Sequence, residues 1–406
     1  MNISTDEPPT SNRSGSPAEV LWVFLKLGLT CFGGPIAHIG YFRDEFVLRR
    51  KWIDEHAYAD LVGLCQFLPG PASSQVGLSI GLMRAGYLGA LAAWVGFTLP
   101  SAAALVLFAY GAGALNGPIG DGLLHGLKLT AVAIVAQAVW GMARNLCPDR
   151  QRASIAVVAA LILLFSTSPA AQIGAIALGG FAGLWLCRGG TLVPSGHVEM
   201  PVSRTVGLIA LTSFFLLLLG LPVLRELSAS SGVALFGAFY RSGALVFGGG
   251  HVVLPLLREA FVTPGWLSGS AFLAGYGAAQ AVPGPLFTFA AYLGTVVTPN
   301  PHGIIGAGLG LIGIFLPGML ILLGVLPFWD SLRKRSNAQA MMRGVNAAVV
   351  GLLGAAFYDP VWTSSVLTPL DFGIALVGFG LLTVWRVPPL VVVVFSAAAG
   401  AAVSLL

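Results

Sequence analysis

Residues 24–47 read FLKLGLTCFGGPIAHIGYFRDEFV, and residues 239–262 read FYRSGALVFGGGHVVLPLLREAFV. The two stretches align without a gap. Phe24, Gly28, Phe32, Gly33, Gly34, Arg43, Phe46 and Val47 recur as Phe239, Gly243, Phe247, Gly248, Gly249, Arg258, Phe261 and Val262. Lys26 is matched by Arg241, and Asp44 by Glu259. After a one-residue shift, Trp52, Ala57, Gly63, Gln66 and Pro69-Gly70-Pro71 recur as Trp266, Ala271, Gly277, Gln280 and Pro283-Gly284-Pro285. A third block pairs Gly86, Gly89, Gly96, Leu99 and Pro100 with Gly303, Gly306, Gly313, Leu316 and Pro317. Three collinear blocks divide the chain into two homologous halves. The division expected is a polar, disordered tail at 1–17, a first repeat at 18–187, a linker with one span at 188–230, and a second repeat at 231–406.

The solvent of these halves follows from composition. Charged residues are 9% of the 406, against ~25% in soluble globular proteins. Hydrophobic residues are 56%, and mean hydropathy is +0.86. Residues 260–329 contain no Asp, Glu, Lys or Arg at all. So few charges cannot cover the surface of a soluble chain, and an integral membrane protein is expected. Apolar segments fall at about 18–42, 53–83, 85–113, 122–143, 153–168, 169–187 and 205–224. Further ones fall at 231–257, 266–297, 303–328, 337–357, 370–385 and 387–406. The four cysteines lie far apart with no CxxC, so they read as buried thiols and no metal site is expected.

Basic loops set the orientation. Arg43, Arg49, Arg50 and Lys51, then Arg84, Arg144, Arg150, Arg152, Arg188 and Arg204, belong on the cytoplasmic side. The pattern closes if 18–42 and 53–83 each return to the side they started from. Four crossings then bring the first half back, and the span at 205–224 starts the second half on the far side. The alternative is that both segments cross fully, which gives six spans per half with the same parity but puts the 43–51 basic cluster outside. The expected fold is an all-α polytopic membrane protein. Its two inverted-topology halves have Gly/Pro-broken helices and are joined by an extra transmembrane span. The N-terminus would be cytoplasmic and the C-terminus periplasmic.

Inverted repeats with helices broken near the midplane are a recurring transporter design. The breaks here are Gly33-Gly34-Pro35, Pro69-Gly70-Pro71, Gly248-Gly249-Gly250 and Pro283-Gly284-Pro285. Glycine lets a ligand approach bare backbone, and proline starts a half-helix whose N–H groups attract anions. The competing reading is tight helix packing. Lys26 and Arg241 are intramembrane cations, costly enough that a role in holding an anion is expected, with snorkelling to the interface as the alternative. Arg43–Asp44 and Arg258–Glu259 stand where each first segment ends, to bind anion at the vestibule or to form a structural ion pair, and Gln66 and Gln280 precede the PGP tips. Asp60, His38 and His251 are candidates for carrying a coupling proton. Lys128 is a weaker candidate, with Asn346 as its repeat equivalent. Gly77-Leu78-Ser79-Ile80-Gly81 fits G-x-S-x-G but has no strand before it, so no enzyme is expected from it.

FGGPIAHIGYFRDEFVLRRKWIDEHAYADLVGLCQFLPGP (32–71), with FGGG…PLLREAFV (247–262) and QAVPGP (280–285), resembles the chromate ion transporter family, in its long-chain, two-domain form. The resemblance implies chromate efflux across a bacterial inner membrane and chromate resistance, with sulfate as a structural analogue. The halves differ: Gly250 stands for Pro35, Ala274 for Asp60, and the basic cluster after Arg43 has no counterpart. The leading expectation is an exporter working by alternating access between the inverted halves. A carrier of sulfate or another tetrahedral oxyanion, or an anion channel, are the alternatives. Expected partners are chromate, with sulfate open, and membrane lipid, with a homodimer open; no nucleic acid and no cofactor are expected. A dianion leaving an interior-negative cell gains roughly 4.6 kcal/mol per 100 mV, more than a ~10³-fold gradient costs.

Overall fold

The computed structural model describes residues 15–32, 34–112, 117–166, 169–188, 201–228, 230–247, 250–298, 301–329 and 335–405. Within them the chain is helical, without strands. The first half comprises α1 (Pro17–Thr30), α2 (Gly34–Phe42) running into a π-helical turn (Arg43–Arg49), and α3 (Glu55–Phe67). It continues through α4 (Ala72–Ala112), α5 (Pro118–Leu146), α6 (Arg150–Phe165) and α7 (Pro169–Leu186). Helix α8 (Arg204–Leu227) joins the halves. The second half has α9 (Ser231–Ala244), α10 (Val253–Phe261), α11 (Gly269–Ala279) and α12 (Phe289–Val296). It ends in α13 (Gly303–Val325), α14 (Ser336–Ala356), α15 (Pro369–Thr383) and α16 (Pro389–Val403).

Local chemistry sets the ends of these pieces. Ser16 caps α1 by accepting from the Glu19 N–H, with Pro17 in the first turn. Asp54 caps α3 through the Ala57 N–H, and its repeat equivalent Ser268 caps α11 through the Ala271 N–H. At 41 residues α4 would span about 60 Å if straight, twice the hydrocarbon core. It is not straight. Ala85 and Gly86 leave helical geometry, and Gly86 has φ +64°. Gly81 and Gly89 then press backbone to backbone, leaving no room for a Cβ on either. Gly294 and Gly306 repeat that contact around Gly303, whose φ is +65°.

Segments 18–42 and 53–83 both fold back as hairpins. Phe24 of α1 packs 5.6 Å from Phe42 and 5.1 Å from Phe46, so α2 returns alongside α1. Arg84, ending the first arm of α4, lies 4.9 Å over the Trp52 ring that precedes α3. Glu19 of α1 pairs with Arg84 at 3.2 Å and with Arg50 at 3.8 Å. All four hairpin ends therefore meet at one face. Burial pulls the Glu45 carboxyl at this face upward, but hydrogen bonds from Arg50 and Arg49 win and hold it below the usual carboxylate range. The second half repeats the motif. Phe239 lies 4.5 Å from Phe261, and Tyr292 Oη donates to the Ala271 carbonyl at 3.0 Å. The Thr298 N–H donates to the Trp266 carbonyl at 3.1 Å. Each pair of hairpins returns to its own side, and among the described residues α4, α5, α8, α13 and α14 are long and apolar enough to cross a membrane.

The halves interlock. Helix α5 packs on α15 and α16, whereas α14 packs on α6 and α7. Small residues four apart permit these crossings: Gly122 and Gly126 meet Ser396 and Gly400, and Gly179 and Gly183 meet Gly344. Most of α8 is apolar and exposed, including Leu208, Ile209, Leu216 and Leu219. That surface suits lipid.

Candidate functional site

The hairpin tips of the two halves meet, and each half completes the other. The Gly70 N–H donates to the Val246 carbonyl at 2.7 Å, and the Gly284 N–H donates to the Cys31 carbonyl at 2.8 Å. Gly70 and Gly284 are repeat equivalents, and so are Cys31 and Val246. The packing is exchanged in the same way. A Cβ on Gly70 would stand 2.9 Å from Gly318 Cα, and one on Gly284 would stand 2.9 Å from Ser101 Oγ. Ser101 and Gly318 follow the equivalent Pro100 and Pro317. Between them, a Cβ on Gly250 would come 3.2 Å from Cγ of Pro35, its own equivalent. A pseudo-two-fold axis therefore passes between residues 35 and 250.

Four helical segments begin around that axis: α2 at Gly34, α4 at Ala72, the 3₁₀ turn at Gly250 and the one at Leu286. Helix N-termini present unpaired N–H groups and partial positive charge. Their convergence suits an anion, with no metal cluster among the described residues. Both PGP glycines need their residue type, with φ +118° at Gly70 and +99° at Gly284.

The structure brings Gly34, Pro35, Pro69, Gly70, Pro71, Gly250, Pro283, Gly284 and Pro285 to this crossover. Gly33, Gly248 and Gly249 lie outside the described residues. Gln66 is exposed at the end of α3, while Gln280 is half-buried and its Nε2 has no partner among the described residues. His38 Nδ1 lies 3.4 Å from Ser73 Oγ, and His251 Nδ1 lies 2.7 Å from Tyr276 Oη. Asp60 is half-buried on α3.

The cations are elsewhere. Lys26 is exposed, off the Val23–Phe24–Leu27 face by which α1 packs. Arg241 lines a separate small cavity with Gln172, Ser242 and Glu259. Arg43 pairs with Glu55 at 2.7 Å near the surface. Arg258 has no acid at the matching place, since Gly269 stands for Glu55, and its Nε has no partner among the described residues.

A family model for chromate transporters matches residues 18–184 and, a second time, residues 233–401. The chain belongs to the chromate transporter family. The two matched regions are the two interlocked halves, and α8 lies between them. Relatives of the family extend over nearly the whole chain. A chromate transport protein of Pseudomonas aeruginosa is 29% identical over 92% of this chain and 89% of its own length. A probable chromate transport protein of Synechococcus elongatus is 27% identical over 82% of this chain and 81% of its own. A chromate transport protein of Cupriavidus metallidurans is 24% identical over 87% of each chain. No solved structure matches the chain.

In this member of the family, two residues at the crossover escaped the sequence reading. Ser74 and Gln75, in the first turn of α4, are buried, and each has a polar atom without a partner among the described residues. A signal for them existed. After the PGP tip the first half reads Ala72-Ser73-Ser74-Gln75, while the second reads Leu286-Phe287-Thr288-Phe289. The halves diverge in polarity at the turn where a ligand would meet them.

Proposed function

We propose that the chain exports chromate across a bacterial inner membrane, with the oxyanion passing the crossover and the inverted halves giving alternating access. The observation that carries the reading is the meeting of four helix N-termini on a pseudo-two-fold axis, within a chain of this family. The fixed partial charges of those N-termini favour an anion. The N-terminus is cytoplasmic and the C-terminus periplasmic in this reading, in keeping with the basic loops.

A difference between equivalent hairpins supports alternating access. Gly277 of α11 lies so close to α5 that a Cβ would run into the Leu127 carbonyl. Gly63 of α3, its equivalent, faces open space. The partner it would have is Val345 of α14, the equivalent of Leu127. Helix α11 is buried from Phe272 to Ala279, whereas α3 exposes Ala59, Gly63 and Gln66. One hairpin is closed and its counterpart is open. Exchanging the two conformations between inverted halves moves the opening to the other side of the membrane.

The test is flux of radiolabelled chromate and sulfate in proteoliposomes under an imposed potential, with and without a pH gradient. Saturable chromate movement that responds to potential supports the reading. Protein that reconstitutes correctly but moves neither anion overturns it, and currents far above carrier turnover indicate a channel.

A further inference from the structure

Resting on the transport reading above, we propose that the first turn of α4 is the oxyanion subsite of the crossover and that Gln75 makes it select an oxyanion bearing a proton. Hydrogen chromate would then be bound in preference to sulfate or selenate.

The polar groups of the site come from one half only. Ser74 and Gln75 line a small cavity with Pro71, Leu78, Phe315, Gly318 and Met319. They are 7% and 2% exposed. Ser74 Oγ and Gln75 Oε1 have no partner among the described residues. The equivalent positions in the second half offer nothing comparable. Phe289 stands for Gln75, and the Thr288 hydroxyl that stands for Ser74 is spent on the Pro285 carbonyl at 2.7 Å.

The orientation of the Gln75 amide is settled by its neighbours. Its Nε2 donates to the Pro69 carbonyl and to the Gly318 carbonyl, each at 2.9 Å. A flipped amide would set Oε1 against two carbonyl oxygens, which donate nothing. The polar atom left over on Gln75 is therefore an acceptor. The start of the helix supplies donors. The first bond of the helix runs from the Gln75 N–H to the Pro71 carbonyl at 2.9 Å, so the preceding N–H groups are those a helix leaves unpaired. The Ser74 hydroxyl can donate as well.

That mixture fits one class of ligand. N–H and hydroxyl donors suit the oxygens of an anion, but an amide oxygen repels an oxygen that carries no hydrogen. A tetrahedral oxyanion with an X–OH group satisfies both. Hydrogen chromate is a weak acid that keeps its proton close to neutrality. Hydrogen selenate and hydrogen sulfate are strong acids and offer none. Selenate otherwise matches chromate in charge, shape and size, so the two differ at the proton. Leaving Gln75 Oε1 buried and unpaired should cost selenate on the order of tenfold to a hundredfold in affinity.

The experiment is competition for labelled chromate on the purified full-length protein at one neutral pH, which keeps the neighbouring His38 in a common state for every competitor. Unlabelled chromate should displace the label at least about tenfold more effectively than selenate or sulfate. Ser74→Ala should weaken chromate and selenate together and leave their ratio unchanged. Gln75→Leu should bring the ratio towards one. Gln75→Leu also removes one bond to the PGP tip at Pro69 and one to Gly318 of α13, so its melting temperature is read alongside. Should it fail to fold, the wild-type ratio and Ser74→Ala decide. Equal competition by selenate in the wild type overturns the proton selection while leaving oxyanion transport standing. Absence of chromate binding and flux altogether removes the transport reading itself.

Discussion

Gly70 and Gly284 combine two demands that are separable by experiment. Each holds a positive φ, and each gives its N–H to the opposite half. An alanine at either place adds backbone strain of about 1–3 kcal/mol and presses on Gly318 or Ser101. Gly70→Ala and Gly284→Ala are therefore expected to lower thermal stability in detergent and to abolish chromate flux. A variant that melts like wild type would show that the tips are not held as tightly as their contacts imply. Lys26 shows what a single residue's sequence conceals. Whether a cation on a re-entrant helix faces the path or the periphery depends on the rotation of α1, which is set by Phe24, Leu27 and Gly28 packing on α4. With its side chain exposed, Lys26→Gln should keep chromate flux within about twofold of wild type, because the long stem serves to bring the charge to the interface. A loss of flux with normal membrane insertion would return Lys26 to the path.

Among the elements, α3 and α11 carry the argument for movement. Gly277→Leu forces a side chain into the Leu127 carbonyl and should destabilise the state seen here, lowering melting temperature and flux together. Gly63→Leu meets open space in this state, so the melting temperature should stay near wild type. The same leucine would block closure of α3 on α14, so flux should fall to background. Wild-type flux in Gly63→Leu would remove α3 closure from the transport cycle. The hairpins themselves were legible in the sequence because their causes are local: Gly and Pro clusters stop helices, and Trp52 and Trp266 mark the matching return points. The interlock was not. That α5 would pack on α15 and α16 depends on residues more than 200 positions apart. Gly122-x₃-Gly126 and Gly179-x₃-Gly183 mark close-packing faces without naming the partner helix.

At the scale of the whole molecule, inversion and charge movement are the two properties to test. Both pairs of hairpins return to their own face, so the parity between residues 188 and 406 rests on α8 and on α13 to α16. Reporter fusions after Arg188 and after Leu406 should lie on opposite sides of the membrane, and fusions on the same side would sink the inverted arrangement. Charge movement then connects the membrane to Gln75. A carrier that moves hydrogen chromate alone transfers one negative charge per cycle. At equilibrium under a clamped 100 mV, it sustains a gradient of about 50-fold in that species. A carrier of the dianion sustains on the order of 10³-fold. Proteoliposomes with a potassium-set potential and equal pH on both sides distinguish these cases from the final chromate distribution. A distribution near 50-fold is expected if Gln75 Oε1 accepts a hydrogen bond from the ligand's hydroxyl and the proton stays on the ligand in transit. One near 10³-fold would mean that the proton is shed before crossing, and one indifferent to potential would mean that the charge is compensated by a counter-moving ion.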